Sequence, residues 1–198
     1  TSNTSPSVTI NPANAVKLQL LVPGETAVAG SPTGKSGSLS ARTTGVAFNV
    51  TVNCVDDNWN INTTTNPQVT ITTSDLWDTE PAAVFLFTGT RTYSVTLKTA
   101  GTTTITATDT DSATPLYTAN TSPSITVDVN TATKLQVLLP GETAVAGSGT
   151  GKSGSPSAAT SGTAFNVTVN CTDDYYNKVP SAAPQVTITT SDAYDSEP

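Results

Sequence analysis

Carboxylates, two thiols, a few large aromatics and a glycine-flanked lysine are the side chains of this sequence that chemistry could recruit. The acids fall in three short runs: Asp56 and Asp57 with Asn58 and Asn60, then Asp75 and Asp78 with Glu80, then Asp109 and Asp111. A hard cation takes about six to eight oxygen ligands, so a calcium site built from Asp56, Asp57, Asp75, Asp78, Asp109 and Asp111 is chemically reasonable. The plainer reading of the same residues is a solvated acidic rim, and no EF-hand spacing is present. The chain has no His, which removes every Ser-His-Asp or Cys-His arrangement. Paired acids alone would need a deep cleft to act as a glycosidase. An enzyme is not expected, and no cofactor other than calcium is called for.

The run GTGKSG at 149–154, with PTGKSG at 32–37, brings a phosphate-cradling loop to mind. The first glycine of that motif is replaced by Ala146 and Ala29, and the following SGSPSA and SGSLSA cannot form the helix that such a loop opens. A flexible surface loop is the expectation. Cys54 and Cys171 each sit late in a β-branched run. They read as buried free thiols or as a bond to a neighbouring chain, since no second cysteine stands where an antibody-type bridge would need it. Trp59 and Trp77, with Tyr176 and Tyr194, occupy loop positions where aromatic planes either pack against the fold or stack on surface glycans. Asn49, Asn62, Asn166 and Asn170 begin Asn-x-Thr triplets, a pattern that a Thr-rich chain produces often.

The elements that must hold these residues follow from an internal repeat. KLQLLVPGETAVAGSPTGKSGS from Lys17 returns as KLQVLLPGETAVAGSGTGKSGS from Lys134. The offset is about 117 residues, and about 54 of the 81 overlapping positions are identical without a gap. It carries Cys54 to Cys171, Asp56 to Asp173, Trp59 to Tyr176 and Trp77 to Tyr194. SPSVTI at 5–10 matches SPSITV at 122–127. Residues 1–12 therefore read as the final strand of a preceding repeat, 13–129 as a complete repeat and 130–198 as a partial one, a window on a longer array.

Thr and Ser make up roughly three residues in ten, and β-branched Thr favours strands over helices. Alternating runs bounded by turn residues predict strands at 16–22, 47–54, 68–73, 83–87, 92–98, 102–108 and 124–129. The runs 92–98 and 102–108, around Thr99-Ala100-Gly101, read as a hairpin. The stretch 23–45 has no periodicity and reads as a long loop open to interaction. Seven strands in about 115 residues is the density of an immunoglobulin-like sandwich.

AFNVTVNCVDDNWN, then QVTITTSD and YSVTLKTAGTTTITATD, resembles the repeated immunoglobulin-like domains of large bacterial surface proteins, including invasin-type adhesins and filamin-like arrays. Where that family often carries Asp-x-x-Gly-Asn after the second strand, this chain has DDNWN and DDYYN. The resemblance implies an all-β tandem array of immunoglobulin-like sandwiches in an extracellular, cell-surface filament, stalk or layer. Its partners would be neighbouring repeats or copies of the same protein. An adhesin or carbohydrate-binding module working through the loop 23–45 and the aromatic loops is the alternative.

A net charge of -7 with only 8 Lys and Arg excludes a phosphate-neutralising patch, so nucleic acid is not an expected partner. No apolar run approaches the roughly 20 residues of a membrane span.

Overall fold

The computed structural model describes residues 2–194. The chain divides into two compact units, Thr1–Asp128 and Val129–Pro198. Among the described residues there is no helix, and every regular element is a strand.

In the first unit β1 (Lys17–Leu21), β5 (Phe48–Val55) and β8 (Thr90–Val95) form one sheet in the order β1-β5-β8. A second sheet has the order β11-β10-β6-β7, from β6 (Gln68–Thr73), β7 (Val84–Phe85), β10 (Ile105–Asp109) and β11 (Asn120–Thr121). A third, smaller sheet sets β12 (Ile125–Asp128) between β9 (Gly101–Thr103), antiparallel, and β4 (Arg42–Thr43), parallel. Period-2 alternation explains the packing, because every second residue of a strand points to one face. Leu18, Leu20, Val50, Val52 and Cys54 from the first sheet thus share a core with Val69, Ile71, Ile105 and Ala107 from the second and with Ile125 and Val127 from the third. This is the arrangement of a β-sandwich. Tyr93 in β8 bridges the sheets by donating from its hydroxyl to the Val84 carbonyl, 3.1 Å away, and burial pushes its phenol up to about 12.

Two expectations are corrected here. The segments 92–98 and 102–108 do not form a hairpin: β8 pairs with β5, β9 with β12 and β10 with β6. Their apolar residues do face one another, but across the sandwich core rather than across a turn. The chain leaves the first sheet after Val95 because Asp75 seizes the backbone of Lys98 and Thr99.

The stretch 23–45 is not an open loop. It contains β2 (Glu25–Ala27) and β3 (Lys35–Gly37), paired from Glu25↔Gly37 to Ala27↔Lys35, followed by β4. No apolar alternation marks this hairpin because polar contacts hold it. Lys35 Nζ lies 2.8 Å from Glu25 Oε1 and donates to the Leu20 carbonyl, and Glu25 Oε2 accepts the Val22 amide.

The second unit has β13 (Lys134–Leu138) paired with β16 (Thr168–Thr172), and β14 (Glu142–Ala144) paired with β15 (Lys152–Gly154). Among its described residues 184–190 form no strand.

Candidate functional site

The first acidic run closes one end of the first unit. β5 leads into Asp56, whose carboxylate accepts four donors. Oδ1 takes the amides of Asn58 and Asn60, both at 2.9 Å, Oδ2 takes the Ala13 amide at 3.0 Å, and the Asn60 side-chain amide spans both oxygens. Burial works against the charge of Asp56, but the bonds from Asn60, Ala13 and Asn58 outweigh it and hold the carboxyl below its ordinary range. Asp57 is exposed, and its carbonyl accepts Lys17 Nζ at 2.9 Å.

The clasp forces Trp59 into the left-handed region at φ 66°, a conformation that costs a residue with a Cβ roughly 1–2 kcal/mol. This is the turn made without the glycine that the resemblance would supply. The indole is half-buried, with the Lys17 ammonium 3.6 Å from its ring centroid. It also lies on Gly34, where an added Cβ would fall 2.1 Å from Cδ2. Gly34 of the lysine-glycine run is thus a seat for an aromatic ring, not part of a phosphate cradle. In the second unit Asp173 accepts the Tyr175 and Asn177 amides at 2.9 Å. Tyr176 has φ 61° and rests on Gly151, with Lys134 Nζ 4.7 Å from its ring centroid.

The second acidic run is also an anchor. Asp75 accepts the Lys98 amide at 2.7 Å, the Thr99 amide at 2.9 Å, the Thr99 hydroxyl at 2.7 Å and the Trp77 amide at 3.1 Å. Burial raises its pKa and these bonds lower it, with the bonds prevailing. Asp78 moves the other way. Burial, then the charges of Glu80 and Asp75, raise it against a bond from the Thr73 hydroxyl. In the third run Asp109 accepts the Asp111 and Tyr117 amides, and Asp111 accepts those of Gln68 and Ala113. The structure therefore places the three runs at separate turns, where the carboxylates of Asp56, Asp75, Asp109 and Asp111 accept backbone amides and that of Asp78 accepts the Thr73 hydroxyl. Among the described residues no three His, Cys, Asp or Glu gather into a group that could hold a metal ion.

Cys54 is buried and free, its thiol pushed up to about 12 by burial and then by the charge of Asp109. Cys171 is free and half-buried. Trp77 is partly exposed and Tyr194 stands in solvent.

Comparison with protein-family models and with curated proteins finds no match. The chain's own geometry is what bears on its role.

Sequence reasoning passed over one set of residues. Gln19 and Asn53 alternate with core residues and so belong to the outer face of their sheet, yet both are buried beneath the β2–β3 hairpin. Gln19 Nε2 donates to the Gly34 carbonyl at 2.7 Å, Asn53 Nδ2 to Gln19 Oε1 at 2.8 Å, and the Thr90 hydroxyl to Asn53 Oδ1 at 2.7 Å. The signal that could have revealed them is the return of Gln19, Glu25, Lys35 and Asn53 as Gln136, Glu142, Lys152 and Asn170.

Proposed function

We propose that this chain is part of a non-catalytic structural array: immunoglobulin-like repeats of about 117 residues forming an extracellular surface filament, stalk or layer. The observation that carries this reading is the recurrence of the Gln, Asn, Lys and Glu contacts of a polar fastening, not only of apolar residues. Gln136 Nε2 donates to the Gly151 carbonyl at 2.6 Å, Asn170 Nδ2 to Gln136 Oε1 at 2.9 Å, and Lys152 lies 2.8 Å from Glu142, atom for atom as in the first unit. Repeats that each build their own fold and differ little make a one-dimensional array whose length is set by repeat number. The resemblance to invasin-type and filamin-like arrays points the same way. The chain's perturbed carboxylates also support a non-catalytic role, since they fasten loops instead of facing a cleft.

Electron microscopy of the native material, with and without a calcium chelator, tests the proposal. Regular filaments, rods or sheets are expected, and their loss on chelation would assign the acidic loops to calcium. A second reading, an adhesin or carbohydrate-binding module, is favoured by the exposure of Leu76 and Trp77 on one loop. Glycan binding that is lost in Trp77→Ala, without regular assemblies, would replace the structural reading.

A further inference from the structure

The four Asn-x-Thr triplets of the sequence have different surroundings in the fold. Asn170 is half-buried, and its Nδ2 donates to Gln136 Oε1 at 2.9 Å. Asn62 is half-buried too: Nδ2 donates to the Ala13 carbonyl at 3.0 Å, while Oδ1 accepts the Thr64 amide and the hydroxyls of Thr64 and Thr65. Asn49 stands apart. It is exposed near the start of β5, and neither its side-chain amide nor the Thr51 hydroxyl makes a hydrogen bond among the described residues. Phe48, Val50 and Val52 point into the core, so Asn49 and Thr51 share the outer face of the sheet. β1 pairs with β5 only as far as Thr51, which leaves Asn49 a ladder partner, Ser94, on one side alone. The repeat offset of about 117 residues carries Asn49-Val50-Thr51 to Asn166-Val167-Thr168 unchanged. Asn62 falls instead on Val179, and Asn53, the counterpart of Asn170, is followed by Cys54 and Val55. The triplet that recurs is thus the one whose Asn is open and unbonded in the first unit.

We infer that Asn49, and Asn166 at the same place in the next repeat, carry N-linked oligosaccharides, and that their folded surroundings are what select them over Asn62 and Asn170. The inference rests on the extracellular part of the proposed function, because the Asn-x-Thr acceptor is used in exported chains. The glycosyl donor is an oligosaccharide held on a lipid diphosphate. Asn49 Nδ2 forms a C–N bond to the anomeric carbon as that carbon's C–O bond to the diphosphate breaks. The lipid diphosphate leaves with the electron pair, the amide nitrogen gives up one proton to the transferase, and nothing is oxidised or reduced. A sugar on Asn49 projects into solvent and displaces no bond of the fold. At Asn170 it would crowd the bond to Gln136, and at Asn62 the bond to the Ala13 carbonyl. Each repeat then presents one bulky, solubilising group on the outer face of its first sheet.

Peptide mapping of the native material, after enzymatic release of N-glycans in heavy-oxygen water, tests this, since every released site becomes a heavy-oxygen-labelled aspartate. The label is expected at Asn49 and Asn166 and not at Asn62 or Asn170. Two variants made in the source cells probe the linkage. Thr51→Val keeps the β-branched shape of a half-buried strand residue and leaves Asn49 in place, yet should strip the label from position 49 alone, whereas Thr51→Ser should retain it. Protease shaving of intact cells reports alongside whether the chain lies outside. A surface chain without the label at Asn49 or at Asn166 overturns the inference and spares the extracellular reading, as does a glycan on Asn49 that survives in Thr51→Val. Label at Asn62 or Asn170 overturns it as well, because the folded surroundings would then not select the site. A chain found only inside the cell overturns the extracellular reading and the glycan with it.

Discussion

Asp56 and Asp75 are buried acids that spend their charge on backbone amides, and this fixes what replacing them should do. An Asp75→Ala chain leaves the partly buried Lys98 and Thr99 amides without their acceptor, at a cost of about 1–3 kcal/mol for the pair. Chemical denaturation of the variant should show a loss of at least that size, whereas Asp57→Ala, on an exposed side chain, should change stability little. Both buried carboxyls have folded-state pKa values below the ordinary Asp value of about 3.9, so their contribution is whole above about pH 4. It is lost as the pH falls through the depressed folded values. Asp78, held above its ordinary value, has the opposite sign and favours the folded state more once protonated. Acid titration of unfolding free energy should therefore fall in wild type below about pH 4 and fall less steeply in Asp75→Ala. The thiols give a second test. Cys54, buried with a pKa near 12, should resist alkylation in the native chain at pH 8 while Cys171 reacts, so mass spectrometry should find one modified thiol before any unfolding. A native chain alkylated first at Cys54 would contradict the buried core described here.

At the scale of elements, the β2–β3 hairpin shows where sequence reading stops. Apolar alternation located β1, β5, β6, β10 and β12 to within a few residues, because each buries one face against the common core. The hairpin buries polar groups instead, so 23–45 carried no period to detect. For the same reason the rule that alternate residues face solvent failed at Gln19 and Asn53, which a third layer covers. The supposed 92–108 hairpin failed differently: a short turn between two alternating runs reads as local pairing, whereas β9 pairs with β12 and β10 with β6, and the distant Asp75 holds the Lys98 and Thr99 amides between them. The aromatic loops were legible as aromatic but not as seated on glycine. That seat is testable through Gly34→Ala, where the new Cβ would meet the Trp59 ring and sit at φ +74°. Overpacking of this kind costs about 1–3 kcal/mol, and thermal unfolding with tryptophan fluorescence should register both the loss and the displaced indole. The same change at Gly30, also at positive φ but with nothing near the added Cβ, should cost less.

For the whole molecule, the two units should answer identical substitutions unequally. Leu18→Ala removes a fully buried side chain and should destabilise the first unit by about 2–5 kcal/mol. Leu135→Ala, at the matching position but half exposed, should cost under about 1 kcal/mol by the same area argument. Hydrogen exchange read separately over the two units is the direct measurement, and equal costs would mean that the second unit's face is covered in solution. The repeat itself was the clearest message of the sequence. What it did not contain was the difference in burial between the near-copies, since that depends on which strands are present to cover each face.

The register of the first unit has one more consequence. The chain enters it at Lys17, beside Val55, and leaves it at Asp128, whose carbonyl accepts the Thr44 amide a few residues before β5 begins. Entry and exit thus lie near opposite ends of β5, whose eight residues span about 25 Å at the usual rise per residue. Tension along such a chain runs lengthwise through the strands. The bonds of β1 to β5 and of β12 to its two neighbours are then loaded in shear and must fail together, rather than opening one rung at a time like a zip.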